Sequence, residues 1–149
     1  MPTFRSVALV LLLAAVLAGC DSGTSANGDG PASDGPVDLA QIGDTCVAET
    51  ADSLKTFTDK LTADQFYELS ADGKTLRVLT PAPMGNAVTR SEALAATQCV
   101  FREANAPQIV VDRLGVPATG EQSSAWTDFT ATWESDNELG YRARVVAAR

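Results

Sequence analysis

The chain of 149 residues contains no histidine. That absence removes Ser-His-Asp and Cys-His triads, imidazole metal ligands and the usual switch between pH 5 and 8. Cysteine is limited to Cys20, Cys46 and Cys99, and aromatic residues make up only 6% of the chain. Two thiols with no third or fourth ligand at metal spacing do not make a zinc or copper site, so neither a metal nor a cofactor is expected. The glycines fall in a polar tract, in turns and at helix ends, which leaves no phosphate-cradling loop. Neither Ser123 nor Ser124 sits in a Gly-x-Ser-x-Gly elbow. Basic residues are scarce, 11 Lys and Arg against 19 Asp and Glu, for a formal net charge of -8. Such a balance opposes binding to nucleic acid or to an anionic membrane surface. Catalysis would have to rest on carboxylates or serine alone, so an enzyme is not expected.

What is present begins at the N-terminus. Arg5 precedes an unbroken apolar run from Val7 to Leu17, shorter than the about 20 residues a spanning helix needs. Charge, length and flanks are those of a secretory signal peptide. The run ends in Leu17-Ala18-Gly19-Cys20, where the small Ala18 and Gly19 let an extended chain enter a peptidase cleft. These four residues resemble the lipobox of bacterial lipoproteins. The resemblance implies that Cys20 is thioether-linked to a diacylglycerol and that residues 1–19 are then removed. That would leave 130 residues of formal charge -9, since the signal carries Arg5 as its only charge. Two acyl chains, palmitate-like, bury about 0.8 kcal/mol per methylene and hold the protein stably, here on the outer face of the plasma membrane. Asp21, next to the lipid site, resembles an inner-membrane retention signal of Gram-negative lipoproteins. It would carry no such meaning in a high-GC Gram-positive host, and both readings stand.

An exported chain meets no glutathione pool, so the remaining even pair, Cys46 and Cys99, is expected to form one disulfide. It would close a loop of about 54 residues, worth roughly 4 kcal/mol by the chain-entropy argument. The alternative is a free or metal-bound thiol pair, the metal-bound form being the weaker for want of further ligands.

Residues 20–43 are expected to be the lipidated cysteine and a flexible tether. From Asp21 to about Asp38 the chain is rich in Gly, Ser, Asp, Ala and Pro and has almost nothing apolar to bury. The folded domain is expected to occupy residues 44–149. Val47, Ala51, Leu54, Phe57 and Leu61 follow helical spacing, with Asp44 or Thr45 as cap. Gln65–Leu69 and Thr75–Thr80 flank Asp72-Gly73, which predicts a β-hairpin closed by Pro81. Thr89-Arg90-Ser91-Glu92 has the form of a capping box and opens a helix. Leu94, Thr97, Val100, Phe101 and Ala104 lie along one face of that helix, with Cys99 almost opposite. Pro107 starts a further turn or two, with Ile109, Val110 and Leu114 inward. In the last third, Thr127, Phe129, Ala131 and Trp133 alternate with polar residues. After a turn at Ser135-Asp136-Asn137, Tyr141, Ala143, Val145 and Ala147 alternate with Arg142 and Arg144. The economical packing is an α+β fold, a small two-layer sandwich with helices on one face of a four-stranded antiparallel sheet made from two hairpins.

Trp126 falls on the opposite parity from Phe129 and Trp133, beside Arg142 and Arg144. Together these three residues form a candidate binding surface, on which an exposed Trp flanked by Arg would stack on a ligand or a partner side chain. The alternative is that Trp126 covers the rim of the core. Glu134, Asp136 and Glu138 cluster at one turn, with Glu121 and Asp128 upstream. A hairpin tip makes a poor catalytic cleft, so a solvated loop is expected there rather than a glycosidase pair. The resemblance of the folded part is to small secreted lipoproteins to which no activity is attached. It implies a non-catalytic binding or accessory module of the cell envelope with a protein or small ligand as partner. A structural subunit of an envelope complex is the alternative, and a carboxylate-dependent hydrolase the weaker one.

Overall fold

A computed structural model describes residues 38–58, 60–81, 87–136 and 140–148; the expected signal peptide, Cys20 and the expected tether up to residue 37 lie outside them, while residues 39–43, also expected in the tether, are helical. The elements run α1 (Leu39–Phe57), a 3₁₀ turn (Ala63–Phe66), β1 (Tyr67–Leu69), β2 (Thr75–Leu79), α2 (Ala87–Glu103), α3 (Gln108–Arg113), β3 (Gln122–Trp126), β4 (Phe129–Asp136) and β5 (Gly140–Ala147). The strands form one sheet in the order β1-β2-β5-β4-β3, with every neighbouring pair antiparallel. The α+β class and the antiparallel sheet follow the sequence reading, but the sheet has five strands, not four.

Helix α1 starts five residues before Asp44. Its cap is Asp38, whose side chain accepts from the Ala40 N–H at 2.9 Å, satisfying a donor that has no partner within the helix. Asp44 and Thr45 are therefore exposed mid-helix residues, and Thr45 Oγ1 donates back to the Gln41 carbonyl at 3.0 Å. The buried stripe is Leu39, Ile42, Cys46, Thr50 and Leu54, with Val47 and Ala51 at its margin. Phe57, expected inward, ends the helix 60% exposed.

Helix α2 likewise begins at Ala87, ahead of the expected box. Thr89 and Glu92 are buried residues of the helix itself rather than caps. The reason is position: α2 packs on α1 along one side and on β2 and β5 along another, so two of its sides are covered. Val100, Phe101 and Ala104 are buried on it, as is Cys99 on a different side. Cys99 lies at disulfide distance from Cys46, with Cα atoms 5.8 Å apart, and the bridge clamps α1 to α2. The helix ends in a Schellman motif. Asn105 takes φ 54°, and the N–H groups of Asn105 and Ala106 return to the carbonyls of Arg102 and Phe101. Val110 and Leu114 of the following turns are buried as expected; Ile109 is 72% exposed.

The hairpin at Asp72-Gly73 forms as predicted. Gly73 takes φ 69°, and Asp72 Oδ1 accepts from Ser70 Oγ at 2.5 Å and from the Lys74 N–H at 3.0 Å. The Ser70 hydroxyl first, then the Lys74 N–H, hold the Asp72 carboxyl below its ordinary pKa. In the C-terminal hairpin Phe129, Ala131, Trp133, Tyr141, Ala143 and Val145 are all buried, as the alternation required. Thr127 is not among them. It and Asp128 form a two-residue turn that splits the expected long arm into β3 and β4.

Candidate functional site

Residues opposed in an antiparallel pair share a face of the sheet. The Thr127-Asp128 turn sets Trp126 directly opposite Phe129, so Trp126 lies on the core side, not on the outer face with the arginines. Its ring centroid is 5.5 Å from that of Phe101 and 6.1 Å from that of Phe129. Its Nε1–H donates to the Ala104 carbonyl at 2.7 Å. That carbonyl stands one residue past the end of α2, where no helical donor remains, so the half-buried indole covers the rim of the core and caps the helix. Trp126 leaves the candidate binding surface. Trp126→Phe is expected to cost about 1–2 kcal/mol in a denaturant titration, because it removes the bond and strands the Ala104 oxygen.

Arg142 and Arg144 do lie outward, on the face of the sheet opposite the core. Three rows of side chains cross that face. The first holds Leu79, Arg142 and Glu134, the second Arg77, Arg144, Thr132 and Ser123, and the third Thr75, Val146, Thr130 and Ala125. Every one of these residues is exposed or half-buried. Arg142 forms an ion pair with Glu134, and its Nε is buried without a hydrogen-bond partner among the described residues. Arg77 Nη1 meets Glu68 Oε2 at 3.3 Å across the edge of the sheet. Two shallow hollows lie on this face. One, of about 270 Å³, is lined by Leu79, Glu121, Thr132, Glu134 and Arg142 with Arg77 and Arg144. The other, of about 280 Å³, is lined by Glu68, Ser70 and Thr75 with the same two arginines. Arg77 was missed in the sequence reading; only the pairing of β2 with β5 brings it beside Arg144.

Of the acidic residues singled out in the sequence, Glu121 and Glu134 line the same hollow, while Asp128 and Asp136 stand at opposite ends of β4. Glu134 is held by Arg142, Asp136 pairs with Gly140 at the end of the hairpin, Asp128 sits in the turn after β3, and Glu138 lies outside the described residues. Ser123 is exposed and Ser124 half-buried on an edge strand. Among the described residues no three His, Cys, Asp or Glu side chains are grouped to hold a metal ion, and no helix is long and apolar enough to cross a membrane.

A second polar group sits between the helices. The Tyr67 hydroxyl donates to the Cys46 carbonyl at 3.1 Å and lies 2.7 Å from Thr50 Oγ1. Glu92 accepts from Ser53 Oγ at 3.1 Å. Burial pushes the Tyr67 hydroxyl up to about 12, the Thr50 bond works against this, and the charges of Glu49 and Glu92 add to it. Burial also raises Tyr141, whose hydroxyl donates to the Leu114 carbonyl. Both tyrosines keep their protons longer in the folded state than in the unfolded chain, where they ionise near pH 10. Their contribution is therefore complete below pH 10 and is lost as pH rises, for Tyr67 through about 12. With no histidine to titrate, stability is expected to be flat from pH 6 to 9. It should then fall by up to about 1.4 kcal/mol per pH unit for each tyrosine, as read by urea midpoints across pH 6–12.

No protein-family model, no curated protein and no solved structure matches the chain.

Proposed function

We propose that this is a lipid-anchored bacterial lipoprotein, tethered through Cys20 on the outer face of the plasma membrane, whose folded domain is a non-catalytic binding module. The signal-like run and the Leu17-Ala18-Gly19-Cys20 box support the anchoring. A buried Cys46–Cys99 bridge supports a home outside the reducing cytoplasm. One observation carries the binding reading: the outer sheet face collects Arg77, Arg142 and Arg144 in a chain whose formal charge is -8. The contact surface is thus Arg142 and Arg144 together with Arg77, without Trp126.

A structural subunit is the second reading. It is favoured by edge strand β3, where Ser123 and Ala125 are exposed and neither lysine nor proline guards the open edge.

Two experiments test the proposal. An alkyne fatty acid fed to cells should label the full chain but not Cys20→Ser; an unlabelled parent protein refutes the anchor. A photo-crosslinking residue in place of Thr132, which faces Arg144 in the same row, should capture a partner that the same probe at Asp52 on α1 does not. Identical capture at both positions refutes the contact surface.

A further inference from the structure

Opposed positions on neighbouring strands bring side chains within about 5 Å; opposite charges there stabilise, and like charges destabilise by similar amounts. The middle row of the outer face begins with Glu68 facing Arg77, an ion pair. The next step reverses the rule: Arg77 faces Arg144, and Arg144 faces Thr132 on its other side. Arg144 forms no ion pair with any described residue, since the nearby Glu134 is taken by Arg142. A chain with 19 carboxylates places none opposite Arg144. The two hollows of this face meet at the Arg77–Arg144 pair, which lines both.

We propose that the Arg77–Arg144 pair seats a carboxylate side chain of an extended acidic segment from a partner protein. The inference rests on the reading of this face as a contact surface and names what that surface takes. Guanidinium groups offer paired N–H donors that match a carboxylate. Each hollow is slightly smaller than an ordinary small-molecule site of roughly 300–1,000 Å³, and exposed ion pairs are weakened by water and salt. A free anion would gain little there, whereas a peptide adds contacts on both sides of the pair. The spacing also fits. Successive rows on the sheet are two residues apart, about 6.7 Å, the repeat of same-side residues in an extended peptide. A segment lying along β2 and β5 would set one side chain over the Leu79–Arg142 row, the next over the arginine pair and the next over the Thr75–Val146 row. Half-buried Leu79 and Val146 favour apolar neighbours, which gives the pattern apolar-x-acid-x-apolar. An anionic lipid surface is the poorer occupant, because the acidic surplus of the chain repels it.

The test is fluorescence polarisation with the full-length chain in detergent and a fluorescein-labelled Val-Thr-Glu-Thr-Val peptide. Saturable binding is expected, weakened about tenfold or more by Arg144→Glu and by Arg77→Glu. Lys55→Glu, the same charge change on exposed α1, should leave it unaltered. Arg144→Glu should also raise the denaturation midpoint, because it gives Arg77 an opposite charge, so lost binding cannot be put down to misfolding. Equal weakening by Lys55→Glu overturns the proposal. So does undiminished binding of the Val-Thr-Gln-Thr-Val peptide, or competition by inorganic phosphate or phosphatidylglycerol vesicles at equal charge. If a probe at Thr132 still captures a partner in cells while the peptide fails to bind, the acidic-segment inference falls and the contact surface stands. If both fail, so does the surface.

Discussion

Replacing Cys46 and Cys99 together by alanine is expected to lower stability by about 4 kcal/mol. The two cysteines are 53 positions apart, so the bridge removes a large share of the unfolded chain's freedom. Both sulfurs are fully buried where α1 crosses α2, and the variant adds a small packing defect to the lost cross-link. A domain of this size has a total stability of roughly 5–15 kcal/mol, so the loss is a large fraction of the whole. It corresponds to a drop in Tm of about 15–30 °C, read by circular dichroism of the full chain. Reductant added to the native protein should act slowly, because the sulfurs are reached only after the helices part. In denaturant, the same reductant should move the parent midpoint to that of the double variant. A loss below about 1 kcal/mol would mean that the helix contact stands without the bridge.

Gly140→Ala is the second large effect, expected at about 3 kcal/mol. Gly140 opens β5 with φ 77°, a conformation that costs an L-residue about 1–2 kcal/mol. An added Cβ would also meet Thr80 Oγ1 at 2.6 Å, Cβ at 2.8 Å and Cγ2 at 2.9 Å. Thr80 has little room to yield. It is buried, and its hydroxyl both donates to the Tyr141 carbonyl at 2.9 Å and accepts from the Tyr141 N–H at 2.7 Å. Gly120→Ala supplies the comparison, since Gly120 has φ 79° but nothing within 4 Å of the new carbon. That variant should cost only the backbone part, about 1 kcal/mol. Equal losses at the two positions in urea titrations would show that Thr80 moves aside freely.

Much of this architecture was legible in the residues, and the misses share a cause. Alternation from Phe129 to Ala147 placed six core residues correctly because one face of that hairpin is buried and the other wet. Asp72-Gly73 announced its turn because glycine there supplies the positive φ the geometry requires. Thr127-Asp128 reverses the chain without a residue of positive φ, so nothing local marked it. One unseen reversal put Trp126 on the wrong side and hid a strand. The early start of α1 was concealed by Asp44 and Thr45, good caps that happen to sit mid-helix, while the working cap, Asp38, ends a polar tract. The outward direction of Arg142 and Arg144 was readable from parity alone. That Arg77 stands beside Arg144 was not, because it depends on β2 pairing with β5 across more than sixty residues.

The order of strands has a consequence for biogenesis. The sheet's middle position belongs to β5, which follows the other four described strands in the chain. Before residue 147 emerges, β1 and β2 make one small hairpin and β3 and β4 another, with no shared ladder between them. Nascent chains stalled ahead of Gly140 should therefore remain protease-sensitive, the two hairpins locking together only when this keystone is delivered.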